Sequence, residues 1–552
     1  MTQCEELLIT LDSREPPFIK TQKKILVSII VLNRNGIQHL KTLIPALLKY
    51  TSGIQYELIF VDNASSDDSV AYVEDQIKNS FLKIPLQLIL NKTNESFSAA
   101  NNKAAIIAKG KYLVLLNNDI EPLAGWLNYL LECIETKNGL GSVGARLVYP
   151  YQKFPRSFNP FKKRKNICCS IQHSGIAFKN EGLRFRPYNM GKGKAINDPS
   201  VLKSGYRSAL TAACLLIPKD IYMQIGGLDE SYNYGGEDVD FGLKLLKAGY
   251  KNYYCAEAVL FHHEFGTQSK EQNENAAKRR RANLEYFQKK WFLSIKKSYW
   301  AEKITGKSNL YAESPLTIAT VDGQSLNVSD LASSAKHFGW KAISITKKQY
   351  KKRNANFDFI FSKNRAGILS ISADHFSVEV ESDGWQKTFI QALKKHYLHS
   401  SIAIKIPAKT WEGAYSWGDY HLAVLLKQQL EKRGHYVLLQ VFPEWDNAEG
   451  TECDVALVLR GVSRYKVKSQ QINIMWNISH PDDVSIEEYE EYDKVFIASE
   501  QWAKEISKQV AVPVETMLQC TDPNRFYEPS EEEKKRYHQQ LLYVGNSRGE
   551  YR

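Results

Sequence analysis

Between residues 24 and about 144, short apolar runs alternate with helix-patterned segments, and every run ends in amides or carboxylates. The runs at 25–32, 56–61, 86–90 and 112–116 are predominantly apolar, and the stretches between and after them (38–49, 67–78, 98–108 and 125–135) have helical spacing. Strands that are apolar on both faces need cover on both, which crossover helices supply, so the pattern predicts an α/β unit with a mostly parallel sheet. In open parallel sheets, ligands sit outside the carboxyl ends of the strands. Here those ends read Asn33-Arg34-Asn35, Asp62-Asn63, Asn91 and Asn117-Asn118-Asp119. A lone Asn-Asn-Asp after a strand is more readily a polar turn. Four polar ends in succession point instead to a shared binding edge.

With 552 residues, the chain is too long for one core, and two to four domains are expected. A hydrophobic fraction of 43% and a charged fraction of 24% are those of globular material and exclude a disordered or fibrous chain. No apolar run approaches the roughly 20 residues of a membrane span, and residues 1–20 carry Glu5, Glu6, Asp12 and Glu15 in place of a signal-peptide core. Eight scattered cysteines with no Cys-x-x-Cys pair suggest reduced thiols in a cytoplasmic protein. The net charge of +12 suits anionic partners such as nucleotides, diphosphates or phospholipid head groups. No nucleic-acid-binding motif accompanies it.

Further along, residues 150–205 look like an irregular basic and aromatic insertion. A strand at 211–217, a glycine turn at 226–229, a helix at 237–248, a strand at 253–260 and a basic helix at about 269–290 close this unit. Residues 300–400 are expected to form a linker or small α/β domain, and a second doubly wound pattern begins at Ser401. The resulting division is a tail at 1–23, domains at 24–299, 300–400 and 401–540, and at 541–552 a strand and glycine turn expected to open a further, truncated domain.

Several groups could carry chemistry. Asp62 closes a strand and could accept hydrogen bonds from a base or sugar, while a helix cap by Ser65, Ser66 or Asp67 explains the same stretch. Asn101 could face the same cleft or lie exposed on its helix. Glu237, Asp238 and Asp240 open a helix, where the dipole favours carboxylates for stability alone and also keeps one ionised enough to act as a general base. His262 and His263 follow a buried strand; a His with an Asp from elsewhere suits a Mg2+ or Mn2+ site completed by substrate phosphate.

In this order, "VSIIVLNRNG", "FVDNASSDDS", "LVLLNNDIEP", "TAACLLIPKDIYMQIGGLDESY", "GEDVDFGLKLLKAGY" and "HHEFGTQ" resemble the family 2 glycosyltransferases of GT-A fold that assemble bacterial surface polysaccharides. The resemblance covers residues 24–295 and implies roles. Asp62 would bind the nucleotide base, with Asn33, Arg34, Asn63, Asn101 and Asn118 also on the nucleotide. Asp119 would be the metal carboxylate of a variant Asp-x-Asp motif in which Asn117 stands where many relatives have Asp. Asp238, beside Glu237, would be the catalytic base. His262 or His263 would be the second metal ligand, and the residues leave open which. Arg279, Arg280 and Arg281 would hold anionic substrate or acceptor, or form a solvated face. The implied cofactor is Mg2+ or Mn2+, and the implied partners are a UDP- or dTDP-type sugar and a glycan or lipid-linked hydroxyl acceptor. The expected reaction is an inverting transfer, in the cytoplasm or at the inner face of the plasma membrane.

Residues 401–552 resemble, through "WEGAYSWGDYHLAVLL", "KVFIASEQWAKEI" and "LLYVGNSRG", the N-terminal Rossmann-like half of a GT-B glycosyltransferase, with no donor transfer of its own expected. The competing readings are a non-catalytic scaffold on a decayed transferase fold and a nucleotidyltransferase. The second would usually begin with a glycine- and lysine-rich phosphate loop, where this chain has Asn33-Arg34-Asn35.

Overall fold

The computed structural model describes residues 10, 15–17, 26–51, 53–80, 83–150, 169–181, 184–233, 235–263, 274–306, 310–321, 335–346, 349, 357–363, 369–373, 376–381, 385–398, 400–433, 435–469 and 471–519. The expectations for 1–9 and 541–552 lie outside these residues. The chain divides into two compact units, at 1–398 and 399–552.

The first unit begins with the expected alternation. Strand β1 (Val27–Asn33) leads through helix α1 (Ile37–Tyr50) to β2 (Tyr56–Asn63), α2 (Ser69–Lys78), β3 (Leu86–Asn91), α3 (Phe97–Ile107) and β4 (Tyr112–Asn117). The four strands pair in parallel in the order β4-β1-β2-β3. Their side chains alternate between two cores, as the period of two requires. Val27, Ile29, Val31, Phe60, Val114 and Leu116 pack with α1 on one face, and Ile30, Ile59, Val61, Leu113 and Leu115 pack with α3 on the other. Helix α1 contributes Leu40, Leu43, Ile44 and Leu47, a single stripe. Helix α3 contributes Ala100, Ala104 and Ala105, whose small side chains let it lie close to the sheet.

Beyond β4 the sheet becomes mixed. A two-residue turn opens the short strand β5 (Ile120–Pro122), followed by α4 (Trp126–Thr136), β6 (Leu140–Val148) and β7 (Ile171–His173). A hairpin follows, of β8 (Ile176–Asn180) and β9 (Phe185–Asn189), then β10 (Gly205–Arg207), β11 (Cys214–Pro218), α5 (Lys219–Gln224), α6 (Glu237–Lys247) and β12 (Lys251–His262). Strand β11 inserts antiparallel between β4 and β6, and β12 runs parallel to β6. The described part of 150–205 is thus not irregular, since it supplies β7, the hairpin and β10.

One further expectation is corrected, and another narrows to one of its two alternatives. Helix α7 (Glu274–Thr305) does not stop near 290. Trp291, Phe292, Ile295, Tyr299, Trp300 and Ile304 are all buried along its second half, so apolar burial carries it on despite its charge. The region after it is no linker. Strands β13 (Thr317–Val321), β14 (Lys341–Ile345), β15 (Phe359–Lys363), β16 (Leu369–Ala373) and β17 (Phe376–Val380) form a sheet ordered β14-β13-β15-β16-β17. This sheet and helix α8 (Trp385–Leu393) share one core with α6, α7 and the β8–β9 hairpin. Cys133, Cys214, Cys255 and Cys453 are free thiols as expected, whereas Cys169 is disulfide-bonded. Among the described residues, no helix is long and apolar enough to cross a membrane.

The second unit is a wholly parallel sheet of β18 (Ser401–Lys405), β19 (Tyr436–Gln440), β20 (Val455–Arg460), β21 (Ile472–Asn477), β22 (Lys494–Ile497) and β23 (Val514–Thr516), ordered β19-β18-β20-β21-β22-β23. Helices α9 (Gly418–Lys432) and α10 (Glu500–Ile506) form crossovers. The reversal of strand order beside β18 is that of a doubly wound fold.

One buried carboxylate ties together the amino-terminal edge of the first sheet. Glu57, on β2, is fully buried and accepts hydrogen bonds from Ser28 Oγ (2.6 Å), Lys109 N (2.6 Å) and Gln87 Nε2 (2.7 Å). Substituting Glu57→Leu removes the acceptor of the buried Ser28 hydroxyl and of the part-buried Lys109 N and Gln87 Nε2, so we expect a loss of roughly 1–3 kcal/mol. A urea titration followed by tryptophan fluorescence measures it, with the Gln variant falling between.

Candidate active site

Strand register brings together the residues expected to meet the nucleotide. Asn33 lies opposite Asp62, and Leu32 opposite Asn117, which sets Asn118 beside Asn33. Asn118 Nδ2 donates to Asn33 Oδ1 at 2.7 Å. Gly36 makes room for this bond, because a Cβ there would stand 2.3 Å from both Asn118 Nδ2 and Asn33 Oδ1. Asp62 is buried, and its Oδ2 accepts from Ser65 N at 2.9 Å. Its Oδ1 is buried with no hydrogen-bond partner among the described residues. The capping alternative does not absorb Asp62, because Asp67 receives the N–H groups of Ser69 and Ile37, both at 3.2 Å.

The other residues assigned to the nucleotide differ in freedom. Asn63 is fully engaged within the protein: it donates to Asn94 Oδ1 and Glu95 O and accepts from Asn91 Nδ2 and Glu95 N. Asn101 is buried and donates back to Phe97 O one turn earlier, so it does not lie exposed on its helix. Its neighbour Asn102 instead ties α3 to the turn at Leu228. Arg34 is exposed at the strand end.

The residues expected to hold a metal depend on an element the sequence did not reveal. After Asn118 and Asp119 turn the chain, β5 pairs antiparallel with the end of β12, with Ile120 opposite His262 and Glu121 opposite Phe261. His263 N donates to Asp119 O at 2.9 Å. The two histidines then diverge. His262 Nε2 lies 3.2 Å from Asp119 Oδ1, whereas His263 Nε2 pairs with Glu121 Oε2 at 3.0 Å. The Nδ1 of His262 faces Gln172 Oε1 at 2.7 Å. Burial pushes the Asp119 carboxyl up, but the His262 imidazole, with His39 behind it, outweighs burial and holds it below the usual carboxylate range.

The third part is the start of α6, which follows Gly236 in a left-handed conformation (φ 99°). The three carboxylates of its first turn have different surroundings. Asp240 is fully buried and bonds to Trp291 Nε1 (2.6 Å), Lys290 Nζ (2.7 Å) and Tyr232 OH (3.2 Å), anchoring α7 to α6. Glu237 accepts from Gly235 N at 2.7 Å. Burial, with the neighbouring Asp238 charge adding to it, pushes Glu237 up to about 7. Asp238 alone is less than fully buried, accepting from Val239 N (2.8 Å) and Ala212 N (3.4 Å). Burial raises its carboxyl above the ordinary range, partly offset by hydrogen bonds from Val239, Thr211 and Ala212. On α7, Arg279 is half-buried, and Arg280 and Arg281 are exposed.

These parts form a closed circuit. Ala212 N reaches Asp238, and Ala213 O accepts from Asn117 N at 3.0 Å. Asn117 leads to Asp119, Asp119 faces His262, and His262 faces Gln172. The next residue, His173, accepts from Thr211 N through Nε2 at 3.4 Å and returns the path to the segment that contacts Asp238. His173 is buried, its Nδ1 lies 2.9 Å from Asn189 Oδ1, and burial pushes its imidazole down to about 4, so it is neutral. Glu121, Gln172 and His173 escaped the sequence reading, because only the pairing of distant strands brings them here.

The donor set is compatible with a divalent cation. Asp119 Oδ1 is buried and accepts no aligned hydrogen bond among the described residues, although His262 Nε2 is close by. No cluster of three His, Cys, Asp or Glu suited to a metal occurs among the described residues. The described residues therefore offer one carboxylate and one imidazole here, a pair that suits Mn2+ or Mg2+ when substrate oxygens complete the shell.

Residues 28–199 match the model of Glycosyl transferase family 2. That stretch, less than half of the chain, is similar to the family 2 glycosyltransferases. The matched stretch includes Asn33, Asp62, Asp119 and Gln172, while Asp238 and His262 follow it. An uncharacterized protein of Sinorhizobium fredii is 30% identical over 269 residues, or 48% of this chain and 27% of that protein. The O-antigen biosynthesis protein RfbC of Myxococcus xanthus is 28% identical over 43% of this chain and 17% of its own length. The hyaluronan synthase of Pasteurella multocida is 25% identical over 43% and 24%, respectively. The matches thus span about a quarter or less of these relatives. A crystal structure of GalNAc-T7 with UDP, GalNAc and Mn2+ overlaps 65% of this chain and 68% of that one, at 12% identity and a TM-score of 0.38.

The carboxyl at Glu237 has a consequence for stability. Its folded value of about 7 lies above the ordinary 4.5, so the fold holds this proton more tightly than the unfolded chain does. That stabilisation is complete below the ordinary value and is lost as pH rises through about 7. We expect Glu237→Gln to melt higher than wild type at about pH 8 and to converge with it near pH 5, by differential scanning calorimetry.

Proposed function

We propose that the first unit is an inverting glycosyltransferase of GT-A arrangement, which moves a sugar from a UDP- or dTDP-type donor to a hydroxyl of a bacterial surface glycan. The observation that carries this reading is the circuit at the carboxyl edge of the sheet, in which Asp238 is linked through Ala212 and Ala213 to Asn117, two residues before the Asp119 that faces His262, with Asp62 Oδ1, unpartnered among the described residues, at the end of β2. The family 2 match and a relative named as an O-antigen biosynthesis protein support the same reading.

Each residue then has a task. Asp62 Oδ1 accepts a hydrogen bond from the nucleotide base, and the Asn33–Asn118 bond keeps the adjoining strand ends in place beneath the nucleotide. Asp119 and His262 would hold a divalent cation on the donor diphosphate, where it would neutralise the charge that develops on the leaving group. His263, paired with Glu121, locks the β5–β12 junction and does not ligate. The acceptor oxygen attacks the anomeric carbon from the side opposite the nucleotide. The bond to the diphosphate oxygen breaks with its electron pair, and Asp238 takes the hydroxyl proton. The raised carboxyl at Asp238 makes it a better base than an ordinary aspartate. Glu237 beside it is a charge neighbour, and the exposed Arg280 and Arg281 are available to anionic acceptors. A decayed scaffold would have no need of a buried, costly carboxylate pair. The all-parallel second unit fits the N-terminal half of a GT-B transferase.

A donor screen tests the reading, with nucleotide release from UDP- and dTDP-sugars followed in the presence of Mn2+. We expect Asp238→Asn to lose about 10²–10⁴-fold in rate with little change in donor affinity. An equally active variant, or no turnover of any donor, would refute the proposal. The two histidines should also separate. His262→Ala is expected to weaken Mn2+ binding by at least tenfold in electron paramagnetic resonance titrations, as Asp119→Ala does, whereas His263→Ala leaves it within about twofold.

A further inference from the structure

On the metal-side reading above, which this inference deepens, the ring of His262 must present one particular nitrogen. The structure assigns that choice to Gln172. We infer that Gln172 is a positioning residue, whose amide oxygen fixes the His262 ring with Nδ1 protonated and Nε2 turned to Asp119. Four observations support this. Gln172 is buried, with 3% of its surface exposed, on the short strand β7. Its Oε1 lies 2.7 Å from His262 Nδ1, a short hydrogen bond that spans 90 residues of sequence. An amide oxygen only accepts, so Nδ1 carries the hydrogen, and in the neutral ring the lone pair is left on Nε2. That lone pair faces Asp119 Oδ1 at 3.2 Å, and Oδ1 accepts no aligned hydrogen bond among the described residues.

Two acceptors so placed repel one another unless a proton or a metal ion lies between them. Gln172 therefore leaves the pair ready for a cation. Strand β7 gains this position from its antiparallel pairing with β6, which sets His173 opposite Leu147 and Ile171 opposite Val148. Ile171 and His173 then share one face of the strand, and Gln172 points to the other, toward the end of β12.

The test uses the whole chain, with Mn2+ as the probe. Gln172→Leu removes the acceptor at similar volume, and Gln172→Glu keeps an acceptor oxygen. We expect the Leu variant to bind Mn2+ about 10–100-fold more weakly by electron paramagnetic resonance, and the Glu variant to restore binding. Nitrogen-15 NMR of the metal-free protein at about pH 8 should show His262 as the Nδ1–H tautomer in wild type and as a mixture or the other tautomer in the Leu variant. Circular dichroism confirms that each variant is folded, and Gln172→Met stands in should Leu fail. If wild type binds Mn2+ and the Leu variant binds it equally well with the same His262 tautomer, this inference falls alone. If wild type takes up no Mn2+, the metal reading falls and this inference with it.

Discussion

With Ile120 opposite His262 in the antiparallel pairing of β5 and β12, the turn residues Asn118 and Asp119 have one place to go. The pairing delivers the carboxylate to one histidine and sets the next histidine against Glu121. A strand slipped by a single residue turns every side chain to its opposite face, so a slip here would exchange the roles of His262 and His263. The chain guards the register at both ends, through His263 N to Asp119 O on one side and Leu260 opposite Pro122 on the other.

The site is built from groups that burial disfavours. Asp62, Glu237 and His262 are nearly closed to solvent, and the Asp119 side chain is only 14% exposed. Each retains an unmet demand, whether an orphan oxygen, a raised carboxyl or a facing acceptor. Such demands are tolerated because the sheet beneath is covered on both faces by apolar cores. Asp240 and Glu57 are equally buried, but each is gripped by three donors, although Asp240 Oδ2 has no partner among the described residues, and their part is architectural. What sets these bracing carboxylates apart is therefore how many donors surround them, more than how deeply they lie.

Much of this was legible in the sequence. The runs of one apolar character and the polar ends of successive strands located β1 to β4 and the edge that bears Asp62 and Asp119, because parallel strands write their burial directly into composition. The carboxylates before α6 were visible for the same local reason. What could not be read depended on pairing at long range. The three residues of β5 have no periodicity of their own, and nothing near His262 distinguishes it from His263 until Glu121 and Gln172 arrive from other strands. Asn63 and Asn101 looked like binding residues because amides at strand ends and on helices always do. Their hydrogen bonds are spent on Asn91, Glu95 and Phe97. The end of α7 was misjudged because its basic surface hid the aromatic stripe that runs on to Ile304.

Helix α7 has the further role of a beam laid across two bays. Its Lys290 and Trp291 grip Asp240, two residues from Asp238, while Trp300 and Ile304 lie in the core beneath the β13–β17 sheet. Cutting the chain at 299, where composition suggested a domain edge, would strip cover from Tyr299 and the aromatic rows before it and loosen the footing of α6. The piece that keeps this core whole extends through α8, and the β13–β17 sheet belongs to the foundations of the edge that bears Asp238.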